Sequence, residues 1–224
     1  MRGICRACAA AVAIGWLAAG CATASGLGRA EPLAAGDARL GFGADVVANV
    51  ANLPGGRVVG PWAGLAVDYR RGVTDRADVG ARVAGFRVPG IASAAASVSA
   101  KVAVPGRLAV VAPGVDYRFA SIDGAPWHAA GVSLPLLYGW RFGRHQLVAG
   151  PRLADQLLVG GGRVVNLVHV GGSVAFAWRI GRTFDLIPEL SVTYSPVTFG
   201  GDDESARTRG LAVVAAGVGG SFDL

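Results

Sequence analysis

The sequence predicts an all-β fold: a transmembrane antiparallel up-and-down β-barrel of about ten strands over residues 38–224. Three observations carry this prediction. Nearly every stretch alternates with a period of two, which is the side-chain period of a β-strand. One face of each stretch is bulky and apolar, whereas the other mixes Gly, Ala and Ser with scattered charges. The connections alternate between tight turns and longer loops, which is typical of membrane barrels.

The composition favours strands over membrane helices. Hydrophobic residues make up 52% of the chain and charged residues 16%, against about 25% charged residues in an average globular domain. After residue 20, no stretch holds the roughly 18 uncharged apolar residues that a membrane helix needs. The 35 glycines argue against a helical bundle, because each interior glycine costs a helix about 1 kcal/mol.

Residues 1–24 are expected to be an export signal, since a positive start, a short apolar core and small residues follow one another there. Residues 17–21 resemble the lipobox of bacterial lipoproteins, which implies lipidation of Cys21 and delivery to the outer membrane. Ordinary cleavage after Ala24 is the competing interpretation, and both stay open. Residues 25–37 show no pattern and are expected to be a periplasmic tether to the barrel.

All three cysteines (Cys5, Cys8 and Cys21) lie in the signal. The chain after residue 24 therefore has no thiol for a disulfide, a thiolate metal site or a cysteine nucleophile. Disulfide-based and cysteine-based chemistry is excluded for the predicted barrel.

The first five strands are expected at 39–50, 62–73, 76–88, 93–104 and 108–120. Each is drawn from its own alternation, and small or charged residues occupy the second face. The bulky residues expected to face outward are Leu40, Phe42, Val46, Leu65, Val67, Tyr69, Val79, Val83, Val111, Val115, Tyr117 and Phe119.

The last five strands are expected at 132–142, 145–157, 164–180, 183–194 and 209–224. The sixth has the clearest pattern, because its apolar face ends in Tyr138, Trp140 and Phe142. The bulky outward residues of the eighth, ninth and tenth strands are Val168, Val170, Val174, Phe176, Trp178, Ile180, Phe184, Leu186, Leu190, Val192, Tyr194, Val218, Phe222 and Leu224.

The turns set the predicted orientation. The tight connections are 74–76, 105–106, 143–144 and 181–183, and the others are longer and richer in Gly and Pro. Short turns are periplasmic in bacterial outer-membrane barrels. An even strand count then places both termini in the periplasm.

Aromatic residues cluster at the strand ends, as expected of girdles at membrane–water interfaces. Tyr117, Phe119 and Tyr194 fall at long-loop ends. The girdle at the short-turn ends comprises Tyr69, Trp140, Phe142, Trp178, Phe184 and Phe222.

Turn lengths also predict which residues face each other across the hairpins. A three-residue turn at 74–76 pairs Val73 with Ala77 and sets Asp68 opposite Arg82. A similar turn at 181–183 sets Arg179 opposite Asp185, and opposite charges of this kind would neutralise each other inside a narrow lumen. The residues predicted to line the lumen are Asp45, Asp68, Arg70, Asp78, Arg82, Asp116, Arg118, Arg152, Arg179 and Asp185.

Residues 67–80 resemble a hairpin common in small bacterial outer-membrane β-barrel proteins, with an aromatic strand end, a Gly-apolar-Thr-Asp-Arg turn and an alternating return strand. The resemblance implies a porin-like or transporter-like barrel and an outer-membrane location. The C-terminus is similar to the assembly signal of such proteins, which implies recognition by the barrel-assembly machinery. It departs in ending with Leu224, while the aromatic residue stands at Phe222.

No strong catalytic motif is present. His169, Ser173 and Glu189 share the lumen face but are expected to fill it, because the predicted register sets Ala175 opposite Glu189 and brings His169 near Ser195. The glycine run 160–162 and the acidic run 202–204 are expected to be loops. We therefore expect no catalytic residue, no metal, no cofactor and no nucleic-acid partner.

Three functions remain open on the sequence. The first is an outer-membrane barrel with a structural role or passive passage of ions and small solutes, in contact with outer-membrane lipid. The second is a lipid-modifying barrel enzyme. The third is a soluble, lipid-anchored, lipocalin-like carrier of an apolar ligand. The face asymmetry favours the first, because the second face carries fewer charges than the roughly 25–35% expected of a soluble surface.

Overall fold

The computed structural model describes residues 28–51, 59–88, 91–105, 109–122, 124–199 and 211–224. The expected export signal, including Cys21, and the acidic run 202–204 lie outside these residues. Among the described residues, no helix has both the length and the apolar character needed to cross a membrane.

The described chain forms eleven strand segments in sequence order. They are β1 Ala38–Ala51, β2 Val59–Thr74, β3 Ala77–Val88, β4 Ile91–Ala103, β5 Ala109–Val111, β6 Gly114–Ile122, β7 Ala125–Phe142, β8 His145–Gly160, β9 Arg163–Ile180, β10 Phe184–Phe199 and β11 Leu211–Asp223.

The strands close into a barrel. Neighbours in sequence pair antiparallel, and β1 also pairs with β11, where Arg39 lies opposite Asp223. β5 and β6 together form one barrel strand, because their pairings with β4 and β7 keep a single register across Ala112 and Pro113. Proline has no N–H to donate, which explains the break in the ladder. The predicted all-β antiparallel barrel, closed by 10 strands, is confirmed.

β7 differs most from the predicted strands, since it begins at Ala125 rather than at residue 132. Trp127 points inward and is buried there, whereas His128 faces outward and is exposed. Here the apolar residue points inward and the polar residue outward, which is the reverse of the other strands. The sequence pattern therefore did not predict this part of the strand. β7 and β9 each have 18 residues, whereas about 9–11 tilted residues cross a bilayer. These strands therefore extend past the apolar belt on the long-loop side.

The turn between β2 and β3 is tighter than predicted. A bulge between Gly72 and Thr74 places Thr74, not Val73, opposite Ala77. The Thr74 hydroxyl accepts a hydrogen bond from the Arg76 N–H at 3.2 Å, which stabilises the two-residue turn. The predicted pairing of Val73 with Ala77 is therefore wrong.

Burial alternates along the strands, with apolar residues outside and polar residues inside. Leu65 is 71% exposed and Val83 63% on the exterior, whereas Gln146 and Gln156 are fully buried in the lumen. A soluble barrel has the opposite arrangement, since it hides its apolar face from water. The interior also holds small apolar clusters, one of which joins Trp127 to buried residues of β8 and β9.

Candidate functional site in the barrel lumen

The ten charged residues predicted to line the lumen stand at inward-facing strand positions, but they form separate groups. Arg179 and Asp185 lie at the short-turn end, where they are opposite each other as predicted. Asp78 is bonded to Arg70, and Asp45 stands apart on β1. Six of them line a central cavity: Asp68, Arg70, Arg82, Asp116, Arg118 and Arg152.

The short-turn end of the lumen is crossed by residues 28–37, which we call the mouth segment. A tether was expected here, but from Gly28 onward the segment is folded against the barrel, with Ala30 only 1% exposed. The Gly36 N–H donates to the Gly72 carbonyl at 3.1 Å, and the Gly72 N–H donates to the Asp37 carbonyl at 2.9 Å. These bonds fix one end of the mouth segment to β2.

The mouth segment then reaches the far side of the barrel. The Leu33 N–H donates to Asp78 of β3 at 2.9 Å. The Ala30 N–H donates to the side-chain oxygen of Gln146 of β8 at 2.9 Å. Because β3 and β8 belong to opposite parts of the barrel wall, the segment spans the mouth of the lumen.

The mouth segment also takes part in an ion-pair cluster around Asp185, which is fully buried. Arg29 donates to both carboxylate oxygens, at 3.0 and 2.9 Å. Arg179 approaches the same oxygens, with its Nε at 2.9 Å. The hydrogen bond to Asp185 raises the pKa of the Arg29 guanidinium above its ordinary value. One carboxylate thus holds two cations, one from the wall and one from the mouth segment.

A second buried cluster lies beside it. Arg70 donates to Asp78 at 2.8 Å and to the Ser99 hydroxyl at 3.0 Å. Lys101 is fully enclosed and donates to the Arg29 carbonyl at 2.6 Å. Lys101 was not predicted from the sequence. Its inward position on β4 was the one signal that could have identified it as a lumen residue.

The central cavity lies in the lumen within the wall made by β2, β3, β4, β6, β7 and β8. Its volume is about 80 Å³. Its polar lining consists of the six charged residues named above together with Ser97, Ser99 and Ser133.

The His169 set does not assemble a catalytic triad. His169 Nδ1 is hydrogen-bonded to the Ser195 hydroxyl, and both residues are 2% exposed. Glu189 lies opposite Ala175, as predicted. It is six residues from Ser195 along β10, or roughly 20 Å at the rise of an extended strand. No group of three metal-ligating residues occurs within the described part of the chain.

The exterior carries the predicted aromatic residues at the short-turn ends. Tyr69, Trp140, Phe142, Trp178 and Phe222 are each 42–56% exposed. Phe184 packs between Phe42 and Phe222, with ring centroids 6.5 and 4.7 Å away. Sequence analysis left Phe42 out of this girdle, because the pairing of β1 with β11 that brings it there involves the two ends of the chain.

A closed antiparallel barrel with an apolar exterior and a charged, polar interior is the class of structure that spans membranes as a β-barrel. No protein-family model and no curated protein matches the chain. The fold is similar to that of several solved structures. Neisserial surface protein A has 10% identity and a TM-score of 0.40, with 84% of this chain and 97% of that chain covered.

Two further solved structures are similar at the same low level. Outer membrane protein OprG from Pseudomonas aeruginosa has 12% identity and a TM-score of 0.39, with 86% of this chain and 98% of that chain covered. Outer membrane protease OmpT from Escherichia coli has 8% identity and a TM-score of 0.41, with 84% and 95% covered. The barrel assignment itself rests on the closed strand pairing described above.

Proposed function

We propose that the protein is an integral outer-membrane β-barrel with both termini in the periplasm, and that it acts as a narrow passive pore for ions or small solutes that is closed at rest. The apolar exterior supports insertion in lipid, where a closed barrel pairs its backbone polar groups through hydrogen bonds between its own strands. The short turns and the expected export signal support the periplasmic orientation.

One observation carries the closed state: the mouth segment spans the short-turn end of the lumen and is bonded to wall strands on both sides. The charged residues above it would give ions a polar path if the segment moved. Passage through this barrel therefore requires displacement of residues 28–37.

The mutation Gly72→Ala is expected to open the pore without changing any charge. A Cβ at position 72 would lie 1.8 Å from the Ala34 carbonyl oxygen, so the mouth segment must shift away from β2. In planar bilayers we expect rare current steps from the wild type and several-fold more frequent ones from this variant.

Val73→Ala is the matched control, because it changes the neighbouring residue on a side chain that is exposed. Its open probability should equal that of the wild type. If an inserted Gly72→Ala barrel stays as silent as the wild type, the pore proposal fails, and a purely structural barrel remains.

Lipid anchoring at Cys21 is a separate part of the proposal. Arg29 follows Cys21 by eight positions, and an extended chain of eight steps reaches at most roughly 26–29 Å. A lipid on Cys21 would thus hold the mouth segment near the inner leaflet surface. We expect palmitate labelling of the wild type and none of Cys21→Ala; equal labelling of both would overturn the anchor.

We propose no enzymatic role. His169 and the serine bonded to it, Ser195, are both buried in the lumen, where neither contacts membrane lipid. The proposed partners are outer-membrane lipid around the belt, the barrel-assembly machinery during insertion, and small solutes in the lumen.

A further inference from the structure

We propose that the central cavity is a binding site for a small free oxyanion, of which inorganic phosphate is the simplest example. This goes beyond passive passage, and it does not require the barrel to conduct. The position of the cavity inside the lumen keeps out lipid head groups, whose acyl chains would have to enter with them.

The cavity lining has an excess of positive charge. Four arginines and two aspartates line it, so four positive charges less two negative ones leave a net charge of two positive. Asp45 and Glu189, which also point into the lumen, do not line it. Arg70 is already paired with Asp78 beside the cavity, so the other three arginines exceed the two aspartates by one positive charge. Arginines are the residues whose planar, forked donors match an oxyanion best.

Hydroxyl groups complete the set of donors. Ser97 lies between Arg82 of β3 and Asp116 of β6 in the strand register. The Ser99 hydroxyl accepts a hydrogen bond from Arg70 at 3.0 Å, so its own proton can be donated elsewhere. An oxyanion in the cavity would meet serine O–H groups as well as guanidinium N–H groups.

The size of the cavity admits a small anion. Its volume is about 80 Å³. One water needs about 10–15 Å³ on this measure, so the space holds roughly five to eight waters and has room for a small oxyanion. Charges interact more strongly inside a protein wall than in bulk water, so even one small anion would be held.

The test is calorimetric titration of inorganic phosphate into the refolded full chain in uncharged detergent micelles at fixed low ionic strength. We expect saturable binding to the wild type and an affinity loss of about tenfold or more for Arg82→Gln, since a charge-assisted hydrogen bond is removed. Arg87→Gln is the matched control, because Arg87 is on the same strand but exposed on the outer face. It should bind phosphate like the wild type.

A second variant is needed because Arg82→Gln could impair folding: it removes the positive charge on β3 that lies opposite Asp68. Ser97→Asp keeps all four arginines and adds a carboxylate beside Arg82, so it should abolish phosphate binding in a folded barrel. The proposal is overturned if the wild type shows no saturable binding, if chloride binds as tightly as phosphate, or if Arg87→Gln loses as much affinity as Arg82→Gln. None of these outcomes depends on current through the barrel, so failure of this site is distinguishable from failure of the pore.

Discussion

Asp185→Ala is expected to lower the free energy of unfolding by about 3–5 kcal/mol, the usual loss when one partner of a buried ion pair is removed. The alanine would leave the Arg29 guanidinium without the carboxylate that it contacts, while Arg179 would keep its ion pair with Asp223. The mouth segment would lose its bond to β10 at the same time. Denaturant unfolding of the refolded barrel, followed by tryptophan fluorescence, measures the loss.

Asp37→Ala is the control, since it also removes one negative charge, but from an exposed side chain of the mouth segment. Its effect should stay within about 0.5 kcal/mol, as for other surface substitutions. Equal losses for the two variants would contradict the buried cluster as the main attachment of the mouth segment. Asp185→Asn should fall between them, because the amide keeps the shape but not the charge.

The sequence was sufficient to predict the barrel and much of its register. A period of two reports the face of every strand directly, and turn length then fixes which residues meet. Asp68 opposite Arg82 and Arg179 opposite Asp185 are both found in the structure. The neighbourhood of His169 and Ser195 followed from the same counting along β9 and β10.

The mouth segment was not predictable by that method. Residues 28–37 have no strand or helix period, because they are held by single bonds to different strands rather than by a repeating ladder. Arg29 donates a hydrogen bond to Asp185, which is 156 positions away in the sequence. Local sequence patterns carry no information at that separation. The signal that was present is indirect: Asp185 and Gln146 are polar side chains at inward positions that need partners.

Arginine at position 190 is expected to cost about 2–4 kcal/mol if the exterior faces lipid, the known penalty near the bilayer midplane. Leu190 is exposed on the outer face of β10, where it lies opposite Val174. It stands between Phe184 at the short-turn end and Tyr194 at the long-loop end, and so near the middle of the apolar belt. Unfolding of Leu190→Arg in lipid vesicles measures this cost.

Ile180→Arg provides the depth control, because Ile180 faces outward on β9 opposite Phe184, at the level of the short-turn girdle. Near the interface the same change should cost only about 0–1 kcal/mol, since the long side chain reaches water. Water around the whole exterior would make both substitutions nearly neutral, as surface changes usually are. A penalty at 190 that is absent at 180 is therefore a result that lipid produces and water does not, and two small, equal effects would defeat the membrane-barrel proposal.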